Sequence, residues 1–292
     1  MNGMVHAAVG RIRPGKVAAH VLPGLVLALA LAGAGYGAEP AGSDQTADLA
    51  KKLANPVANL ISLPLQYNYD ENYGTEDDGQ KSFINVQPVI PISIGADWNV
   101  ISRTIVPLID QNDVPSGADE VGVGDILQSL FFSPKEPSRC GGIIWGAGPA
   151  LLVPSATDET LGGERWAAGP TAVVLKQAGP WTVGCLANHL WSFAGDEERA
   201  DVNATFVQPF ASYLFKRTYT TLSLNTEATY NWDAEDTDDA WSVPLNLTVN
   251  QMLKIGKQPL QLMAGPRYWA ASPNGGPDGW GARIGITFLF PK

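Results

Sequence analysis

The chain has 292 residues, with 19 Lys and Arg against 29 Asp and Glu, which gives a net charge of −10. This balance excludes a nucleic-acid-binding protein, since phosphate binding needs a basic surface. The 31 Gly and 22 Pro are too many for long helices, and a mean hydropathy of −0.03 is too polar for a bundle of membrane helices. The composition therefore predicts a β-rich chain with frequent turns.

The N-terminus carries the pattern of a targeting segment. Three basic residues precede the apolar run 21–33 (VLPGLVLALALAG), and small residues follow up to Gly37. This pattern predicts a cleaved secretory signal peptide over residues 1–37, and an uncleaved membrane anchor is the alternative. Residues 38–56 then form a predicted periplasmic segment with a short helix over 44–54.

The remainder, residues 57–292, has a regular rhythm of apolar and polar alternation. A transmembrane β-strand needs about 9–11 residues, and bacterial outer-membrane barrels use even strand numbers. The rhythm predicts an all-β, single antiparallel transmembrane barrel of about twelve strands. Its predicted strands are 57–70, 82–94, 98–109, 122–133, 143–153, 166–176, 181–193, 203–214, 219–231, 241–253, 259–270 and 280–290.

The connections between these strands separate a barrel from a soluble β-sandwich, which would show the same alternation. Odd-numbered connections are long and hold most of the acidic residues, with Lys81, Arg165 and Arg199 in them or at their edges. Even-numbered connections are mostly short and basic. Long loops at one end and short turns at the other are typical of outer-membrane barrels, so we expect both termini at the short-turn, periplasmic end.

Aromatic and proline residues add one supporting and one opposing observation. Aromatic side chains near strand ends are typical of interfacial girdles, with ordinary core packing as the alternative. Those assigned to the girdles are Tyr67, Tyr69, Trp98, Trp145, Trp166, Trp181, Trp191, Tyr230, Trp232, Trp241, Trp269 and Trp280.

Because proline cannot donate to a β-ladder, the prolines within predicted strands require bulges or bends. These are Pro88, Pro91, Pro149, Pro209 and Pro266.

Several stretches resemble Gram-negative outer-membrane proteins of the "MetA-pathway of phenol degradation" type, whose relatives are often labelled "transporter" or "neuromedin U". They include 49–70 (LAKKLANPVANLISLPLQYNYD), 83–109, 122–134 (GVGDILQSLFFSP), 145–177 and 254–262. The resemblance implies an outer-membrane β-barrel and carries neither a defined substrate nor catalytic residues. The end departs from general outer-membrane practice, because Pro291 and Lys292 follow Phe290.

Catalytic and metal-binding patterns are weak. His189 is the one histidine beyond the predicted signal peptide, and Ser192 lies three positions later, on the opposite face of a strand. This spacing disfavours a Ser–His hydrolase. The acidic run 233–239 lacks the glycine and terminal glutamate of an EF-hand loop, so it is predicted to be a solvated loop. No disulfide between Cys140 and Cys185 is expected, because two strands separate them.

Charges inside predicted strands are the candidate functional residues. A charge that faces lipid at mid-depth costs about 2–4 kcal/mol for Arg, so these side chains should face the lumen. Adjacent strands place Arg267 and Arg283 at similar depth, and barrel closure brings Arg283 beside Asn68 and Asp70. Either a charged constriction that selects solutes or a set of ion pairs that fills a narrow barrel fits the pattern. The candidates are Arg103, Asp125, Glu227, Arg267 and Arg283.

The sequence therefore predicts a narrow passive channel for a small solute, without cofactor, metal or enzymatic activity. The name of the family that it resembles implies an aromatic or other hydrophobic solute. The expected partners are outer-membrane lipid, lipopolysaccharide and a small-molecule solute, and no nucleic acid. A non-conducting structural or surface-interaction barrel is the first alternative, and an outer-membrane hydrolase is the second. The segment around 44–54 either plugs the barrel or lies free in the periplasm.

Overall fold

The computed structural model describes residues 43–115, 117–139 and 141–291. The predicted signal peptide therefore lies outside the described residues, as does Cys140. The described residues begin with a helix, α1 (Ser43–Leu53), close to its predicted bounds. No helix within the described ranges has the length and apolar character needed to span a bilayer.

Fifteen strand segments follow the helix, and every pairing between them is antiparallel. Three barrel strands consist of two segments each (β2 with β3, β5 with β6, and β11 with β12), so twelve strands form the wall. Pairing of β1 with β15 closes the barrel, with Leu65 opposite Ile286 and Asn68 opposite Arg283. The predicted twelve-stranded barrel is confirmed. The segments are β1 (Ile61–Tyr73), β2 (Gly79–Val86), β3 (Val89–Ser93), β4 (Trp98–Asn112), β5 (Glu120–Val123), β6 (Ile126–Pro134), β7 (Ile143–Val153), β8 (Arg165–Ala178), β9 (Trp181–Gly195), β10 (Asn203–Phe215), β11 (Thr220–Thr226), β12 (Ala228–Asn231), β13 (Trp241–Ile255), β14 (Gln258–Ala271) and β15 (Gly279–Phe290).

Each of the three interruptions lies opposite a proline on the neighbouring strand. The backbone N–H of Gln87 donates to Pro64 O (2.9 Å), that of Gly124 to Pro107 O (2.9 Å), and that of Glu227 to Pro244 O (3.4 Å). The reciprocal bond of each pair is missing because proline has no N–H. The ladder therefore opens at these points and resumes one or two residues later.

These three prolines were not among the five that the sequence marked as obstacles. Of those five, Pro88 lies in the gap between β2 and β3, and Pro91 pairs with Ile101 within β3. Pro149, Pro209 and Pro266 each lie in a continuous ladder on one side and in an interrupted ladder on the other. A strand of this barrel is thus interrupted where the neighbouring strand has a proline opposite it, whereas a proline can lie within a strand that pairs without interruption on one side.

Aromatic side chains cluster on the outer surface at both ends of the wall. Trp98 packs edge-on against Trp145 at the short-turn end, and Tyr230 packs against Trp241 at the long-loop end. Trp269 is an exception to the predicted girdle, because it shares the inward face of β14 with Arg267 and donates to Asp70. Its assignment to the girdle is therefore wrong.

The lumen has two unlike walls. The wall built from β4, β6, β8 and β9, called the apolar wall here, carries an apolar cluster in which Ile101, Phe131, Val173, Leu175 and Leu186 are buried against one another, although Ser129 and Thr171 are buried on the same strands. The opposite wall, from β11 through β15 and into β1, is polar, and its buried inward residues include Asn68, Thr221, Asn246, Thr248 and Asn250.

The N-terminal segment fills the lumen at the short-turn end. Leu49 and Ala50 of α1, with Ala58 and Leu60 after it, form one buried cluster with Leu214, Met252 and Leu289 from the barrel wall. Val57 packs into the apolar wall, which explains why β1 begins at Ile61 and not at residue 57. A hydrogen bond from Gln177 Nε2 to Lys51 O (2.8 Å) also ties the helix to β8. Of the two predicted alternatives for this segment, the structure shows a plug.

Candidate functional site

Arg283 and Glu227 form a bidentate ion pair inside the lumen. Arg283 Nη1 donates to Glu227 Oε1 at 2.9 Å, and Nη2 donates to Oε2 at 2.7 Å. Arg283 Nε donates to Asn68 Oδ1 at 2.7 Å. Two parallel N–H···O bonds to one carboxylate are the strongest arrangement available to arginine, and they fix the orientation of both groups.

Arg267 extends this pair into a network. Its Nη1 lies 3.3 Å from Glu227 Oε2, and its Nε lies 3.0 Å from Asp70 Oδ1. Trp269 Nε1 donates to the same Asp70 oxygen at 2.9 Å, and the guanidinium carbon of Arg267 lies 4.7 Å from the Trp269 ring centroid. The indole thus binds Asp70 through its N–H and Arg267 through its π-face.

Barrel closure explains how residues so distant in sequence meet. In the ladder Arg283 is opposite Asn68 on one side and Gly265 on the other, and Arg267 is opposite Gly281. The glycines leave room for the long side chains to lie along the wall. A Cβ atom at Gly281 would lie 2.7 Å from Asp70 Oδ1, so a side chain there would displace that carboxylate.

The network is buried as well as charged. Asp70 is 0% exposed, Arg283 2% and Arg267 4%. Charges removed from water must be paired, and removal of one partner leaves the other at a cost of about 3–5 kcal/mol. Pro244 contributes indirectly, because the ladder opens opposite it at Glu227.

The other two predicted residues lie elsewhere. Arg103 is on the inward face of β4, deeper in the barrel, and donates to Gln87 Oε1 at 3.0 Å. Asp125 is not part of the network. Its carboxylate accepts backbone N–H groups of the loop 154–164, from Ser155 (3.1 Å), Ala156 (3.2 Å) and Gly163 (2.7 Å), and so anchors that loop.

A cavity of about 280 Å³ lies beside the network, towards the long-loop end. It is bounded by β1, β2, β4 and β14, and its lining includes Asp70, Lys81, Phe83, Arg267 and Trp269. The sequence pattern does not predict the roles of Lys81 and Trp269, because it places Lys81 at a loop edge and Trp269 in the girdle. The inward orientation of Trp269 could have been predicted from Arg267, because residues two positions apart lie on the same face of a strand.

The described residues form no catalytic triad around His189, as the hydrolase alternative would require. His189 Nδ1 lies 2.7 Å from Thr205 Oγ1 on the outer face of the barrel, and its Nε2 is buried without a hydrogen-bond partner among the described residues. Ser192 instead donates to Asp201 Oδ1 at 2.8 Å. Cys185 is a free thiol, and no group of three or more His, Cys, Asp or Glu side chains within the described ranges is placed to hold a metal ion.

Comparisons with known proteins agree on the architecture. No protein-family model matches the sequence, and no curated protein matches it. Among solved structures, the chain is similar to the COG4313 outer membrane channel from Pseudomonas putida F1, at 18% identity and a TM-score of 0.60, over 79% of this chain and 96% of that one. The outer membrane phospholipase A from Escherichia coli matches at 12% identity and a TM-score of 0.46, over 84% of this chain and 98% of that one.

At 18% identity, the similarity to the outer membrane channel shows the fold alone. The phospholipase match is too distant to carry an argument about His189. The chain therefore has the porin-like fold of bacterial outer-membrane β-barrels.

Proposed function

We propose that this chain is a narrow outer-membrane channel for a small solute, of the "MetA-pathway of phenol degradation" type that its sequence resembles. Its fold is shared with an outer membrane channel. The observation that carries the proposal is the cavity beside the buried ion-pair network, because a barrel with a purely structural lumen would fill that space with side chains.

Arg267, Arg283 and Glu227 form the selective part of the proposed pathway. Charged side chains at a constriction select solutes by sign, and the apolar wall opposite accommodates an uncharged or aromatic portion. In the proposed orientation the short turns and both termini face the periplasm, and the acidic long loops face outward. There they would contact lipopolysaccharide, with divalent cations between carboxylates and lipid phosphates.

The N-terminal segment favours the second candidate function, a sealed structural barrel. Leu49, Ala50, Val57 and Leu60 occupy the lumen at the short-turn end, so a solute passes only if this segment moves. We assign no catalytic role to any residue, because His189 and Ser192 lie on opposite faces of β9.

A liposome efflux assay tests the proposal. Refolded protein of residues 38–292 is reconstituted into vesicles loaded with a small sugar or a single-ring aromatic compound. We expect release of the small solutes and retention of a large trapped dextran. Retention of every solute by vesicles that contain heat-modifiable, folded protein would favour the sealed barrel.

A further inference from the structure

The cavity beside the ion-pair network combines an unpaired cation with an apolar surface. Lys81 lies on the inward face of β2, opposite Asp70 on β1 and Gln111 on β4. Its ammonium interacts electrostatically with the Asp70 carboxylate, but it forms no hydrogen bond and no ion pair within 4.0 Å among the described residues. Lys81 therefore differs from Arg267 and Arg283, whose guanidinium groups are both engaged by carboxylates.

The inward-facing charges around the cavity do not cancel. Of the charged side chains that line it, Lys81 and Arg267 are positive and Asp70 is negative. A positive excess beside the low-dielectric wall of the barrel attracts an anion more strongly than the same charges would in bulk solvent. The geometry directs the anion to Lys81, because the Arg267 guanidinium is already held by Asp70 and Glu227.

The rest of the cavity suits an apolar ring. Phe83 follows Lys81 on the same face of β2 and pairs in register with Ile109, and Asn85 pairs with Pro107. These side chains line the cavity with Trp269. Its volume of about 280 Å³ lies just below the usual range for ligand pockets, which suits a ligand with a single ring.

We propose that this cavity binds a single-ring aromatic carboxylate, with the carboxylate on Lys81 and the ring against Phe83, Ile109 and Pro107. Asn85 then lies at the far end of the ring, where its amide can bond a polar substituent. This inference rests on the proposed function, because it names the solute class for the same lumen. The network of Arg267, Arg283 and Glu227 forms the floor below the ligand.

Isothermal titration of the refolded, detergent-solubilised protein tests the site with benzoate as the probe. We expect saturable binding of benzoate, with benzyl alcohol and acetate each bound at least about tenfold more weakly, since one lacks the charge and the other the ring. If acetate binds as tightly as benzoate, the proposed contact between the ring and the apolar surface is contradicted. If benzyl alcohol binds as tightly as benzoate, the proposed contact between the carboxylate and Lys81 is contradicted.

Variants place the binding at Lys81. Lys81→Met should weaken benzoate binding about tenfold or more, Lys81→Arg should retain it, and the exposed turn variant Lys257→Met should leave it unchanged. Heat-modifiable mobility on a detergent gel confirms that each variant is folded. Equal binding by Lys81→Met and the parent protein would overturn the assignment.

The titration also separates this site from the channel itself. Benzoate binding in a barrel that conducts no ions would support the site while contradicting the proposed function. Ion conduction without measurable benzoate binding at millimolar concentration would support the channel and overturn the site.

Discussion

Arg283 and Glu227, 56 residues apart in sequence, meet in the lumen through two hydrogen bonds of 2.9 and 2.7 Å. Arg283 is on β15 and Glu227 is in the gap between β11 and β12, so the pair spans the polar wall of the barrel. Arg267, from the intervening strand β14, joins the same carboxylate. One glutamate thus organises two guanidinium groups at a single level of the lumen.

The first prediction concerns ion selectivity. Glu227→Gln removes one of the two carboxylates that balance the cations, so the permeability ratio of chloride to potassium should rise roughly twofold or more. Arg267→Gln should change the ratio in the opposite direction. The reversal potential in a potassium chloride gradient measures both changes. Glu197→Gln, in an exposed loop, is the matched control and should leave the ratio unchanged.

The second prediction concerns the stability of the buried pair. Arg283→Met leaves Glu227 with Arg267 alone, and should lower the free energy of unfolding by about 3 kcal/mol. Combination with Glu227→Gln should cost less than the sum of the two single changes, with a coupling energy of about 1–3 kcal/mol. Urea unfolding in detergent micelles gives the four values of this cycle. Additive losses would show that the ion pair contributes no coupling.

The third prediction concerns the interruption at Glu227. Pro244→Val restores an N–H group opposite the Glu227 carbonyl, so the ladder between β12 and β13 should become continuous. The gain of one hydrogen bond should raise the free energy of unfolding by about 0.5–1.5 kcal/mol. Hydrogen exchange should detect a protected amide at residue 244. Pro291→Val, beyond the last strand, is the control, and rapid exchange at residue 244 would contradict the explanation.

The fourth prediction concerns the N-terminal plug. Leu49 is 7% exposed and belongs to the same buried cluster as Leu214 and Leu289, so Leu49→Asp should expel α1 from the lumen. We expect a severalfold larger single-channel conductance. Lys52→Gln should have no effect, because Lys52 pairs with Asp48 on the exposed face of the same helix at 2.8 Å. Unchanged conductance of the Leu49→Asp variant would mean that the segment does not limit the pathway.

The number of strands and most strand ends could be predicted from the sequence, because alternation and turn residues are local signals, whereas the start of β1 at Ile61 was not. The position of Arg283 beside Asn68 could also be predicted from the sequence, because barrel closure makes the first and last strands neighbours. The inward alternation of β14 would also have identified Trp269, but its place near a strand end suggested the girdle instead.

Contacts across the lumen could not be predicted in the same way. The burial of Leu49 in one cluster with Leu289 and the cavity that Lys81 shares with Trp269 depend on how elements on different sides of the lumen face one another. Periodicity assigns a residue to a face and carries no information about what lies opposite. The same limit applies to the strand interruptions, since each depends on a proline in the neighbouring strand.

Single-channel recording in a planar bilayer tests the central claim most directly. The sample is refolded protein of residues 38–292 whose mobility on a detergent gel changes with boiling. We predict small, discrete current steps that become larger in the Leu49→Asp variant. The absence of steps from both proteins, with folding confirmed by the gel, would contradict the channel and leave a sealed barrel.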